Sequence, residues 1–300
     1  MSPARMHADE VAIGDGVVER LVAEQFPQWA GLPLRRVGTA GTDNVLYRLG
    51  RDLVVRLPRL RERGNDAQGR AFDRDLRWLP RLAALLPVAV PVPIAKGFPA
   101  ADYPAAWGVY SWLEGQTPDV EQLAEPEALA LQIVELIRAL HRVELPDPPL
   151  TARGSSLARW DEPTRDALAQ LEGTIDTEAA TAAWAKALAA PPWTGAPVWL
   201  HGDLMPANLI VQGSRLTGAI DWGLLGVGDP AVDLAVAWNL LPVGARSLVR
   251  EELGVDDATW VRGRGWALWT GICALPYYRE ANRELAENAM YRIGQVLGAE

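Results

Sequence analysis

The spacing of hydrophobic positions changes character twice along the chain. Residues 12–28 carry Val17, Val18, Leu21, Val22 and Phe26 at the period of an amphipathic helix. After Gly31-Leu32-Pro33, short β-prone runs take over: Leu34 to Val37, Val45 to Leu49 and Leu53 to Leu57. The first two are separated by the small polar stretch 38–44, and Gly50-Arg51-Asp52 turns the second into the third. Three antiparallel strands joined by two turns follow from this pattern. Residues 66–86 return to helical spacing, with Phe72, Leu76, Leu79, Leu82 and Leu86 as the apolar face. The proline-punctuated stretch 88–93 reads as extended chain, and Trp107 to Leu113 as a buried strand closed by Glu114-Gly115.

From about residue 121 the pattern is mostly helical. Residues 127–142 show it best, with a stripe through Leu129, Ile133, Leu136, Ile137 and Leu140. Further helices are expected over 156–190 and from Ala231 to about Leu297. Between them, Val198 to Val211 has β-prone ends around a polar loop, and a short strand follows at 216–220. A β-rich first third before a helical remainder is an α+β arrangement in two lobes. The boundary is placed near residue 114, giving lobes of 1–114 and 115–300.

Composition narrows the function classes. The chain has 300 residues, 49% hydrophobic and 22% charged, which suits a folded globular protein. Its 29 Lys and Arg against 38 Asp and Glu give a net charge of −9, which argues against nucleic-acid binding and leaves room for a cationic small molecule. Cys273 is the only cysteine, so no intrachain disulfide forms and a reducing cytoplasm fits. His7, His141 and His201 lie far apart, and no zinc-binding spacing occurs. No apolar run reaches the length of a membrane span. The acidic start lacks the apolar region of a signal peptide. Nothing in the pattern fixes an oligomeric state. Of the 29 basic residues only Lys96 and Lys186 are lysine.

The chemistry concentrates between Leu200 and Asp233. His201-Gly202-Asp203 is followed five residues after the aspartate by Asn208, and thirteen residues further by Asp221 in Ile-Asp-Trp-Gly. Kinase-type phosphoryl transfer needs one carboxylate aimed at the attacking hydroxyl. It also needs an amide oxygen and a second carboxylate to hold Mg²⁺ on the nucleotide phosphates. Asp203-x-x-x-x-Asn208 has the spacing of the protein-kinase catalytic loop, and two short strands after it deliver Asp221.

The sequences HGDLMPAN and IDWG, with the continuation GVGDPAVDLAVAW, closely resemble the aminoglycoside phosphotransferase family of antibiotic kinases. The resemblance runs over roughly residues 30 to 290. It implies a two-lobed protein-kinase-like fold with a small β-rich N-lobe for nucleotide and a larger, mainly helical C-lobe. It further implies that Asp203 is the catalytic base, that His201 orders the loop, and that Asn208 and Asp221 bind Mg²⁺. Asp229 and Asp233 match positions that are mainly structural in the family. His141, on the apolar helix, reads as a packed residue.

On the nucleotide side, no P-loop or dinucleotide fingerprint occurs. The loop 38–44 sits where a phosphate-covering hairpin would, with Gly41 for close backbone approach and Thr42 or Asn44 as side-chain donors. The family often places a lysine on the third strand; here Arg56 occupies that position, and guanidinium also binds phosphate. The helix acid that would pair with it matches Asp75, with Asp73 and Glu62 as other partners. Ser111 and Leu113 would offer backbone hydrogen bonds to the adenine of ATP or the guanine of GTP.

The function implied is transfer of a nucleotide γ-phosphate to a hydroxyl of an antibiotic-like acceptor, an aminoglycoside or a macrolide. Glu251, Glu252, Asp256, Asp257, Glu280 and Glu284 are candidate contacts for a polycation, although they also read as a solvated face. Trp266 and Trp269, near Tyr277 and Tyr278, are candidates for an acceptor cleft. A metabolic kinase of the choline, homoserine or methylthioribose type, and a non-catalytic nucleotide-binding module, are the alternatives.

Overall fold

A computed structural model describes residues 13–38, 44–59, 64–280 and 282–298. Gly41, Thr42, Glu62 and His7 lie outside the described residues. The chain divides into two compact units, one of residues 1–84 with 89–114, the other of residues 85–88 with 115–300.

The first unit is built on a five-stranded antiparallel sheet. Its strands are β1 (Leu34–Arg36), β2 (Asn44–Leu49), β3 (Leu53–Pro58), β4 (Pro93–Gly97) and β5 (Trp107–Ser111), in the order β1-β2-β3-β5-β4. The period of two in β2 buries Val45, Tyr47 and Leu49 on one face. These join Val55, Leu57 and Val109 and the buried side of helix α1 (Asp15–Gln25), namely Val18, Leu21 and Val22. Arg56, between Val55 and Leu57, therefore points to the other face, where it lies opposite Gly108 of β5.

Helix α2 (Gly64–Ala83) covers that second face. Phe72 meets the edge of the Tyr110 ring at 5.6 Å and sits over Gly108, where a Cβ would come within 2.6 Å of it. Its buried stripe runs through Phe72, Asp75, Leu79 and Leu82, while Leu76 is 51% exposed. The expectation that Leu76 faces the core is corrected. The stripe passes one residue earlier because Asp75 has polar partners inside. β5 is also shorter than expected, ending at Ser111; Trp112 then donates its N–H to Asp52 O.

The second unit is mainly helical. α3 (Pro126–His141), α4 (Asp161–Gln170) and α5 (Thr177–Ala189) precede four short strands: β6 (Val198–Leu200), β7 (Leu209–Gln212), β8 (Arg215–Ala219) and β9 (Gly226–Gly228). β7 pairs with β8 and β6 with β9, both antiparallel. A 3-10 segment, Pro230–Ala235, leads into α6 (Val236–Leu240), α7 (Val243–Leu253), α8 (Asp257–Tyr278) and α9 (Arg283–Leu297). Trp184, Trp238, Trp266 and Trp269 dominate its core, with Leu234, Leu268, Ile272 and Ile293 around them. No helix among the described residues is long and apolar enough to cross a membrane.

Candidate active site

The loop after β6 is tied down through its backbone. Asp233, fully buried in the 3-10 segment, accepts the N–H of His201 on one carboxylate oxygen (3.0 Å) and that of Gly202 on the other (2.9 Å). Gly202 adopts φ +82°, and a Cβ there would come within 2.7 Å of Leu224 O, so the turn admits only glycine. His201 is wholly buried against the Trp222 ring, 4.4 Å between centroids. Its Nε2 is 3.0 Å from Ile220 O, and its Nδ1 faces the Asp203 N–H at 3.3 Å. Nδ1 thus accepts and Nε2–H donates, which describes a neutral imidazole. Burial pulls its pKa below the ordinary value, in keeping with that assignment, although Asp203 and Asp221 oppose the shift. A histidine held this way bridges the loop to the end of β8.

That bridge brings the predicted residues of this segment together. Asn208 donates from Nδ2 to Asp203 O (2.8 Å) and to Asp203 Oδ2 (3.1 Å). Ile220 N–H bonds Asn208 O at 2.9 Å, and the β7–β8 ladder starts there with Leu209 opposite Ala219. Asp221 follows directly with φ +59° and ψ +64°. A left-handed backbone at a residue other than glycine is uncommon, aspartate being among the types that tolerate it. Such strain persists where surrounding structure imposes it.

The donor set fits Mg²⁺. The Asn208 amide nitrogen is spent on Asp203, so its oxygen is the end left for a cation. With the Asp221 carboxylate it makes two hard oxygen donors, the number magnesium takes from protein when substrate phosphates supply more. Among the described residues, no group of three or more His, Cys, Asp or Glu offers another metal centre.

Arg153 stands beside the loop, and sequence reasoning missed it. Its Nη2 is 3.7 Å from Asp203 Oδ1 and its guanidinium lies 4.2 Å from the Trp269 ring centre. Burial lowers its pKa, and the Asp203 charge acts against that. Arg292 of α9 is also buried enough to be lowered, and it too interacts with Asp203. The sequence signal for Arg153 is only the following Gly154, where a Cβ would come within 2.4 Å of Val227 O. Of the aromatic candidates, Trp266 and Trp269 are core residues near this point, while Tyr277 is half exposed. Three of the acidic candidates are engaged elsewhere. Asp256 caps α8 through Thr259 N–H, Asp257 pairs with Arg250, and Glu252 lies 3.9 Å from Arg138.

In the first unit, Arg56 and Asp75 meet. Arg56 Nη1 is 3.9 Å from Asp75 Oδ2, and with its amide oxygen turned inward Asn44 accepts from both Nε and Nη2 of Arg56 at 3.1 Å. Asp75 also takes Arg74 at 2.8 Å and the Tyr110 hydroxyl at 3.1 Å. Burial and Asp75 push the Tyr110 phenol up, so it remains a donor. Asp73 pairs with Lys96 instead, at 2.7 Å. Ser111 gives its N–H to Val92 O and accepts the Val92 N–H on its hydroxyl. A purine could therefore use only the Ser111 carbonyl, with the N–H of Leu113.

The chain is similar to known proteins in sequence and in fold. An aminoglycoside 3′-phosphotransferase of Streptomyces fradiae is 31% identical over 209 residues, covering 65% of this chain and 68% of that protein. Among solved structures, the GDP and kanamycin complex of APH(2")-IIia superposes with a TM-score of 0.74 at 19% identity, over 93% of this chain and 98% of that one. The macrolide 2′-phosphotransferase MphH from Brachybacterium faecium does so with 0.58 at 23%, over 93% and 97%. The two structural likenesses show a shared fold, the α+β protein-kinase-like one. A family model described as the phosphotransferase enzyme family matches residues 35–267, and the chain belongs to that family.

Proposed function

We propose that the protein transfers the γ-phosphate of ATP or GTP to a hydroxyl of a small, antibiotic-like acceptor, in the manner of the aminoglycoside and macrolide kinases it resembles. The observation that carries the reading is the bonding of Asn208 to both the backbone and the carboxylate of Asp203, with Asp221 held at the end of the adjoining strand pair.

In this reading Asp203 is the base. Asn208 fixes Oδ2, and Oδ1 is left to orient the acceptor hydroxyl and take its proton. His201 is a positioning residue: its neutral ring and the two Asp233 bonds hold the loop in place. Asn208 and Asp221 would hold Mg²⁺. Magnesium, when bound, supplies charge neutralisation and orientation of the nucleotide phosphates. Arg56, oriented by Asn44 and Asp75, carries the cation that the family usually takes from lysine, and its fork suits two phosphate oxygens. Gly41 and Thr42 keep their proposed part in the phosphate loop, and Ser111 and Leu113 theirs at the base.

A coupled nucleotide-turnover assay with Mg²⁺, ATP or GTP, and a panel of aminoglycosides, macrolides and small metabolic alcohols tests the reading. Acceptor-dependent turnover is expected, with Asp203→Ala lowering kcat by roughly 10² to 10⁴. Near-normal turnover by Asp203→Ala would remove the base from Asp203.

A further inference from the structure

One small cavity of the second unit opens beside the catalytic loop. Arg153, Gly202, Asp203, Asn239, Trp266 and Thr270 are among its lining. Three of these residues carry a buried polar atom without a hydrogen-bond partner: Arg153 Nη1, Asn239 Oδ1 and Trp266 Nε1. Asn239 is 2% exposed and Trp266 not at all. Buried polar groups are nearly always paired, and each orphan carries a desolvation penalty. All three belong to residues that line a single small cavity beside Asp203, which marks it as a polar site.

The chemistry of the orphans specifies that group. Arg153 and the indole are donors, and the amide oxygen is an acceptor. A hydroxyl satisfies all three, because its oxygen accepts two N–H bonds while its proton goes to Asn239. An ammonium fails, since it has no lone pair to receive the donors and carries the same charge as Arg153. Arg153 cannot turn away easily, being stacked on Trp269 and drawn to Asp203. Arg292 adds a second positive charge that interacts with Asp203 and Arg153. Two of the acids offered by the sequence for a polycation lie elsewhere. Asp256 and Asp257 stand at the opposite end of α8 from Thr270, thirteen residues away, or about 20 Å at the helical rise.

We propose that this cavity is an acceptor subsite that reads an uncharged hydroxyl adjacent to the one phosphorylated, so that the acceptor presents a diol and carries no amine beside the reacting hydroxyl. The proposal deepens the phosphotransferase reading and rests on Asp203 acting as its base. Arg153 Nη1 and Trp266 Nε1 donate to the second hydroxyl, which donates to Asn239 Oδ1, while the first faces Asp203 Oδ1. An acceptor of either antibiotic class then qualifies only through a ring that shows such a diol.

The test uses matched acceptors, glycosides and cyclitols in which the neighbouring hydroxyl is kept or replaced by an amine. Turnover is followed for the full-length protein and for Asn239→Asp and Trp266→Phe. Binding is followed in parallel by saturation-transfer NMR with the protein and with Arg153→Met. The hydroxyl member is expected to win by at least about ten-fold in kcat/KM, since a site built to hydrogen-bond a hydroxyl rejects analogues lacking it strongly. Asn239→Asp, which supplies a negative charge, should shrink or reverse that preference. Equal or better use of the amine member by the wild-type protein overturns the proposal. So does a result in which the two cavity variants change stability but not selectivity, which would mean an ordered water only. Absence of turnover with every acceptor, while the NMR still favours the hydroxyl member and loses it in Arg153→Met, sinks the phosphotransferase reading and leaves the subsite standing. Absence of both overturns both.

Discussion

His141 and Asp233 approach to 4.0 Å inside the second unit, and burial moves each away from its ordinary titration range. The imidazole falls to about 4, while the carboxyl rises to about 7 despite the two N–H bonds it accepts. The signs oppose. His141, depressed below its unfolded value of 6.5, contributes stability that is full above that pH and is lost as the pH falls toward 4. Asp233, raised above 3.8, contributes stability that is full below that pH and is lost as the pH rises through 7. Between about pH 4 and 6.5 the two slopes offset each other. His141→Asn leaves the Asp233 slope alone, so the variant should gain about 2 kcal/mol at pH 5 relative to pH 8, compared with the wild type. Urea midpoints at the two pH values measure this; an unchanged difference would mean that His141 does not titrate as its burial demands. At this scale the sequence spoke clearly for Asp203, Asn208 and Asp221, because their spacing is itself the signal. It was silent on Arg153 and Asn239, which come from distant segments, and offered Trp266 only among the aromatic candidates for an acceptor cleft.

At the scale of elements, helical periods were legible and β9 was not. α3 and α9 carry apolar stripes at the helical period, whereas α8 is buried nearly all round. Gly226-Val227-Gly228 has no alternation and little β propensity; it is a strand only because β6 pairs with it. Its glycines are explained by what crosses it. Leu150 makes a parallel bridge to Val227, Asp229 N–H bonds Gly154 O, and a Cβ on Gly228 would fall 2.3 Å from Gly154 Cα. This backbone-on-backbone contact fixes the segment that presents Arg153. Gly154→Ala should therefore cost about 1–3 kcal/mol of stability, as overpacking does. Because Arg153 is its chain neighbour, it should also raise KM for the acceptor more than KM for the nucleotide. Thermal melts and paired Michaelis curves test this; equal effects on both KM values would detach Arg153 from the acceptor. The register of α2 was misread for a related reason. Hydrophobicity alone favours Leu76 for the core, whereas Asp75 is buried because Tyr110, Arg74 and Arg56 receive it.

For the molecule as a whole, the fold class was readable because a β-rich third precedes the helices, and the family because its motifs all lie between His201 and Trp238. The acidic excess said less. Some of it is spent on helix caps such as Asp176 and Asp256, and on ion pairs such as Asp229 with Arg262 at 2.7 Å. A ligand that binds only the folded chain stabilises it by mass action, by about 2.7 kcal/mol at a hundredfold excess over Kd. Nucleotide with Mg²⁺ should accordingly raise the unfolding midpoint by several degrees. Asp221→Asn should keep the rise given by nucleotide alone and lose the increment given by magnesium. A variant that retains the full increment in differential scanning fluorimetry would take Asp221 out of metal binding.

The arginine on β3 has a practical consequence. Nucleotide acyl phosphates mark kinases by acylating the lysine beside the bound phosphates, a reaction that needs a free amine. A guanidinium offers no free amine, and of the chain's two lysines Lys96 pairs with Asp73 and Lys186 lies in the last turn of α5. With Arg56 at the nucleotide phosphates, as proposed, surveys that inventory kinases by that labelling would pass over this protein and any of its relatives built the same way, however active they are.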